Sequence, residues 1–305
     1  MAGYLDYLVG MLTYAGLYAL MALALNLVWG MGGMINLGLA GFFAVGAYAS
    51  ALLTTRVGVP IALGVASASV LAAMLGVVVA LATARLRGDY LAIVTLGFAE
   101  VVRLIASNEI WLTKGTDGIS GIPGPGRGVL TPGEFNLLSL ALILSVGGLA
   151  LILLQRLARS PFGRVLRAIR DDEQAAAVAG KPVLAYKLRA FALSAGLLGC
   201  AGAIYGHYTS YIAPDAFQPL VTIYIVLALV AGGTGNNYGA VAGAGLVVFF
   251  TESTRFIAEA VPGLSAARGA ALRELVVSIG LLLVLRYRSQ GIIPERVVPV
   301  GERRL

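Results

Sequence analysis

The sequence predicts an all-α polytopic membrane protein with about nine transmembrane helices (roughly eight to ten). Three observations carry this. Hydrophobic residues make up 59% of the 305, charged residues only 12%, and mean hydropathy is +0.88, whereas soluble domains are roughly a quarter charged. The apolar residues come in continuous runs, and a spanning helix needs about 20 of them. Charge is concentrated in one island, residues 156–191, which holds 8 of the 22 Lys and Arg and 3 of the 15 Asp and Glu.

The apolar runs lie near 7–29, 37–55, 59–84, 90–106, 137–155, 186–206, 220–232, 237–257 and 271–286. None shows the period-2 alternation of a membrane barrel strand. The first run has no basic flank before it and is too long for a signal-peptide core, so it is expected to stay as a span. The run at 220–232 is short. Residues 30–38 combine the helix breakers Gly30, Gly33 and Gly38 with the amide of Asn36. Such a break at membrane depth is tolerated only against a protein cavity, which is where transporters place their path. The alternative is a turn in water joining two spans. Residues 1–305 read as one transmembrane domain, with a polar loop at 107–136 on the outer side.

The island contains Arg156, Arg159, Arg164, Arg167, Arg170, Lys181, Lys187 and Arg189, with Asp171, Asp172 and Glu173. Hydrocarbon excludes such charge, so it forms a loop in water, and its basic excess places it in the cytoplasm. Arg85, Arg87, Arg286, Arg288, Arg296, Arg303 and Arg304 fall on the same side if there are nine spans. The N-terminus is then outside and the C-terminus inside. This asymmetry accounts for a net charge of +7 without a nucleic-acid partner. Ser160-Pro161 reads as a helix start. Asp171-Asp172 can cap a second short helix from Glu173 to Ala179, which Gly180 and Pro182 stop. A helix so short is marginal in water unless something packs on it, so a partner is implied.

Glu100-Val-Val-Arg103-Leu-Ile-Ala recurs as Glu252-Ser-Thr-Arg255-Phe-Ile-Ala, which suggests a parallel internal repeat. Glu and Arg at i, i+3 can pair on one helix face. The pair is either a neutralised interfacial contact or part of an outer gate. Cys200 and His207 each stand alone, so no disulfide or Cys-based metal site is expected within the chain. His207 reads as a local hydrogen-bond partner rather than a proton relay. The Gly232–Gly239 stretch lacks the Lys and Ser/Thr of a phosphate loop. No catalytic, cofactor or metal site is expected.

The motif order resembles the integral-membrane permeases of branched-chain amino acid ABC importers. The resembling blocks are Ser160-Pro-Phe-Gly-Arg164, Arg167-Ala-Ile-Arg-Asp-Asp-Glu173, Leu25-Asn-Leu27 with Asn36-Leu-Gly38, Arg87-Gly-Asp-Tyr90 through Glu100, Thr116-Asp-Gly-Ile-Ser-Gly-Ile-Pro123, and Gly232-Gly-Thr-Gly235. Two departures stand out. Gln174-Ala175-Ala176, followed by Gly180, keeps the register of the general Glu-Ala-Ala coupling pattern while Glu173 sits one place early. Ser289 replaces a family Pro beside Gln290-Gly291.

The resemblance implies an ABC importer permease fold and a pore subunit that hydrolyses nothing itself. It implies two ATP-binding subunits, a second permease that is a paralogue, an external substrate-binding protein, and the inner membrane of a prokaryote. Segment 156–187 would couple to the ATPases through Asp171, Asp172, Glu173, Gln174, Ala175, Ala176 and Gly180. The path would run near Asn26, Gly30, Gly33, Asn36 and Gly38. A urea, amide or other amino acid permease shares these features. An ion-coupled transporter would place acidic groups mid-membrane, whereas Glu100, Glu252, Glu259 and Glu274 lie toward span ends.

Overall fold

The computed structural model describes residues 2–86, 88–260 and 290–295, and between 271 and 287 residues 271, 275, 278–280, 282–283 and 286–287. Half of the expected last span, together with Arg87 and Ser289, therefore lies outside the described residues. The helices are α1 (Ala2–Leu25), α2 (Leu39–Arg56), α3 (Ile61–Ala82), α4 (Asp89–Asn108), α5 (Ile110–Thr113), α6 (Pro132–Arg159), α7 (Pro161–Asp171), α8 (Glu173–Val178), α9 (Val183–Thr209), α10 (Pro219–Gly232) and α11 (Asn237–Ala260). One two-residue antiparallel ladder, β1 (Ile119–Ser120) with β2 (Tyr211–Ile212), ties two connecting loops together. The fold is all-α and polytopic.

Six described segments are long and apolar enough to cross a membrane: Asp6–Gly30, Ile61–Ala82, Asp89–Asn108, Pro132–Arg159, Val183–Thr209 and Pro214–Gly232. The described residues do not carry the count to nine, nor do they establish the internal repeat. The helix α2 is not among the six, because Ser50, Thr54, Thr55 and Arg56 lower its hydropathy. It needs less, since other helices cover it: Leu39 to Ala44, Ala47 and Ala51 are all buried. By contrast α3, α4 and α6 leave whole apolar faces exposed, such as Leu63, Val70, Met74 and Val78 of α3. Lipid tails suit those faces.

The helix α9 is the centre of the bundle and packs most heavily on α3 and α2. Small residues set the spacing. A Cβ on Gly46 of α2 would run into the Gly199 backbone of α9, and one on Gly202 into the Phe43 carbonyl. Dispersion between close backbones replaces the hydrophobic drive that is missing in lipid. Phe43, Tyr48, Tyr205 and Phe217 cluster between α2, α9 and the turn before α10. At the start of α6 a full capping box forms, with Thr131 Oγ1 accepting from the Glu134 N–H and Glu134 Oε2 from the Thr131 N–H.

His207 is buried at 3% exposure, and it does act locally. Its Nδ1 lies 2.6 Å from the Pro123 carbonyl and its Nε2 lies 2.8 Å from Ser50 Oγ. The carbonyl can only accept, so Nδ1 carries the proton and Nε2 accepts from the serine. The ring thus clamps the loop after β1 onto α2 and α9. Replacing it by His207→Leu leaves the buried Ser50 hydroxyl unpaired, costing about 1–3 kcal/mol, and releases the Pro123 carbonyl. Thermal unfolding of the purified chain in detergent is expected to show a lowered midpoint for that variant, with His207→Gln losing less.

Candidate functional site

One end of the bundle, the end carrying α7 and α8, gathers four blocks that are far apart in sequence. The first is the broken end of α1. After Leu25 the helix widens into a π-helical turn, Asn26–Gly30, closed by Met31 N–H to the Asn26 carbonyl at 2.9 Å. Residues 33–38 then run without helix before α2 begins, with Met34, Asn36 and Gly38 buried. The break is therefore real, and the chain stays inside the bundle rather than forming a loop in water. Its backbone is satisfied by side chains. Leu37 N–H donates to Thr95 Oγ1 at 2.9 Å, Gly38 N–H to Asn36 Oδ1 at 2.8 Å, and Ala40 N–H to Thr222 Oγ1 at 3.3 Å. Irregular backbone at membrane depth requires such partners.

The second block is the glycine turn between α10 and α11. Asn26 reaches it through both ends of its amide. Asn26 Oδ1 accepts from the Gly235 N–H at 2.8 Å, and its Nδ2 donates to Asn237 Oδ1 at 2.8 Å. Asn237 in turn donates to Gln155 of α6 at 3.1 Å. The third block is residues 290–295, which turn and bend along this glycine turn. Ile292 and Ile293 N–H donate to the Ala231 and Gly232 carbonyls, each at 2.9 Å.

The fourth block is α7, and its Arg170 joins all of them. Arg170 Nη1 donates to the Gly30 carbonyl at 2.5 Å and to Glu295 Oε2 at 2.9 Å, while its Nε donates to Asp171 at 3.1 Å. Burial alone would lower the guanidinium pKa, but the bonds to Glu295 and Asp171 outweigh it and raise the pKa instead. The charge is permanent. Gly33 allows the approach: it has φ of +68°, and a Cβ there would meet Arg170 Cγ at 2.8 Å. Arg170 has no sequence signal of its own within the basic island, where it is one of eight. Glu295 likewise lies in a polar tail with no motif.

The α7–α8 hairpin is built as its residues dictate. Ser160 caps α7 with Pro161 at its first position. Asp172 caps α8, accepting from the Gln174 and Ala175 N–H groups. Gly180, at φ +74°, closes α8 with the paired bonds of a Schellman motif, Gly180 N–H to the Ala177 carbonyl and Lys181 N–H to the Ala176 carbonyl. Of the expected coupling residues, Asp171, Asp172, Gln174, Ala175 and Gly180 are exposed, while Ala176 is buried. Glu173 is held by Lys187 of α9 at 2.7 Å. Val178, which motif reasoning passed over, is 90% exposed on the same short helix.

The expected path residues divide into two groups. Asn26, Gly30 and Gly33 belong to this junction. Asn36 and Gly38 lie further along the non-helical segment, where Asn36 Nδ2 is buried with no hydrogen-bond partner. The Glu100–Arg103 pair of α4 forms, with Arg103 Nε donating to Glu100 at 2.9 Å. In the second copy Glu252 accepts from the Tyr7 hydroxyl at 2.5 Å. The Arg255 side chain is outside the described residues. Among the described residues no group of three or more His, Cys, Asp or Glu is placed to hold a metal.

Residues 7–285 match the family described as branched-chain amino acid transport system, permease component. The chain belongs to this family. The permease is 32% identical over 309 residues to the "High-affinity branched-chain amino acid transport system permease protein LivM" of Escherichia coli K12, covering 92% of this chain and 69% of that one. It is equally similar to the protein of the same name from Salmonella typhimurium LT2. It is 27% identical over 332 residues to the "Probable branched-chain amino acid transport permease protein LivM" of Methanocaldococcus jannaschii, covering 96% and 95% of the two chains. No solved structure matches the permease. The family and the apolar helices make it a multi-pass inner-membrane transport protein.

The junction predicts a sharp contrast between glycines. Gly33→Ala places a Cβ in a left-handed conformation, costing roughly 1–2 kcal/mol, and against Arg170. Gly97→Ala, where nothing lies within 4 Å, is expected to leave stability unchanged. Unfolding midpoints of the two variants in detergent check this.

Proposed function

We propose that this permease is a membrane subunit of an ATP-driven ABC importer for branched-chain or other hydrophobic amino acids. It has about nine spans, with the N-terminus outside and the C-terminus inside. It forms the path with a second permease, a paralogue, while two ATP-binding subunits drive transport and an external binding protein delivers the solute. ATP is bound by those partners, and this chain carries no cofactor and no catalytic group.

The observation that carries the coupling part of this reading is Arg170, which bonds both the Gly30 carbonyl and Glu295. The α7–α8 hairpin is thereby fastened to the break in α1. A short helix with exposed Ala175 and Val178 suits a shallow cleft on an ATPase, and its caps let it move as one body. When the ATPases close, a push on α8 reaches the break through α7 and Arg170. The path runs beside that break, with Asn36 Nδ2 as a buried donor for a solute oxygen. Buried charge is scarce around Asn36, Thr95 and Thr222, which suits a neutral or zwitterionic solute whose selectivity is set largely by the binding protein.

The primary test is purification of the chain from its native membrane, then uptake of labelled leucine into vesicles with and without internal ATP. ATPase subunits are expected to accompany the chain, and leucine to enter only with ATP. Entry that instead follows the proton gradient would replace this reading with an ion-coupled one.

Two variants test the coupling. Val178→Glu places a charge on the exposed tip of α8 and is expected to lower uptake at least about tenfold, equivalent to 1.4 kcal/mol, with the parent amount of protein in the membrane. Arg170→Ala removes the charge-assisted bonds to Gly30, Glu295 and Asp171, each worth roughly 1.5–3 kcal/mol. It is expected to let ATP hydrolysis continue while uptake falls. Parent uptake rates in both would overturn the assignment. Ala176 is a poorer probe, because it is buried within the chain and its replacement would disturb α8 itself.

A further inference from the structure

A cavity of about 230 Å³ opens beside the junction, between α7, α8, the start of α9 and the connection from α3 to α4. It lies below the roughly 300 Å³ at which pockets for drug-sized ligands begin, so it suits one small solute. Its wall has two chemistries. Among the described residues, Arg170, Glu173 and Lys187 supply two positive charges and one negative. Leu86, Leu91 and Ile169 supply an aliphatic side. The Lys187 and Glu173 side chains are only 12% and 25% exposed, and they pair across the cavity rim at 2.7 Å.

We propose that this cavity is a binding site for an aliphatic α-amino acid on the cytoplasmic side of the permease. The inference rests on the function proposed above for which face is cytoplasmic. An α-amino acid carries an ammonium and a carboxylate on one carbon, spaced much like the charges of the Glu173–Lys187 pair. It can enter between them, its carboxylate taking Lys187 and the edge of Arg170 and its ammonium taking Glu173. No charge is left unpaired by this exchange, which is the condition for tolerating charge in a partly buried site. An anionic lipid headgroup or free phosphate can meet Lys187 but brings no ammonium for Glu173. The aliphatic side chain then lies on Leu86, Leu91 and Ile169, so leucine fits better than a polar amino acid. Because Glu173 is on α8 and Lys187 on α9, an occupied site loosens the tie between the docking helix and the bundle.

The test uses the complex purified with its ATPase subunits, in lipid nanodiscs and without binding protein. Equilibrium dialysis measures labelled leucine and labelled leucinamide, which lacks the carboxylate. Leucine is expected to bind the parent complex at least about tenfold more tightly than leucinamide, the size of effect of one charge-assisted hydrogen bond. In Lys187→Met the preference for leucine over leucinamide is expected to shrink severalfold, down to the part that Arg170 holds. Glu173→Gln is expected to weaken both ligands, since both carry the ammonium. Co-purification of the ATPases with each variant shows that the hairpin is intact. A parent complex that does not bind leucine, or one whose preference over leucinamide is undiminished in Lys187→Met, overturns the site. So does protection of the cavity by phosphatidylglycerol in place of leucine. ATP-driven leucine uptake by the same parent complex decides the transport reading separately.

Discussion

The constraint on which this structure depends is that no backbone N–H or carbonyl can be left bare inside a membrane protein. The chain breaks helix between Gly30 and Gly38, so every group freed there needs a partner from elsewhere in the fold. Thr95 comes from α4, Thr222 from α10, and Arg170 from α7. Each bond draws one more element to the break. Packing of α1, α4, α7 and α10 around this segment follows from that requirement as much as from apolar contact, which in lipid gives no net drive between helices.

The same bonds make the break a mechanical junction. Asn26 spends its whole amide on the Gly235 and Asn237 turn, and Arg170 spans the Gly30 carbonyl and Glu295. A rigid-body shift of α7 therefore cannot occur without disturbing the end of α1 or the tail at 290–295. In the function proposed above, motion passes from α7 to the break through one permanently charged side chain and the glycines that let it come close.

Much of the fold was legible in the sequence. The expected runs at 59–84, 90–106 and 186–206 meet α3, α4 and α9 within a few residues, because lipid-facing helices must be apolar over their whole length. The caps at Ser160, Asp172 and Gly180 were legible because capping is local chemistry. The break at Gly30 to Gly38 was visible as a cluster of helix breakers, though not whether it lay inside the bundle. Its solution, Leu37 bonded to Thr95 and Ala40 of the next helix to Thr222, depends on residues 58 and 182 positions away. Hydropathy alone also undervalues α2, which is sheltered from lipid by α9 and its neighbours.

By itself the sequence determined the class of the protein, the basic island, the hairpin of two capped helices and the family blocks. All of these rest on composition or on neighbours within a few residues. Only the tertiary structure decided that Arg170 is the arginine that reaches the break, that Ala176 faces inward while Val178 faces out, and that Lys187 and Glu173 close a cavity. The reason is physical: one arginine in a basic island is chemically like the next. What distinguishes Arg170 is that the fold brings the Gly30 carbonyl, the Glu295 carboxylate and the bare face of Gly33 to the same place.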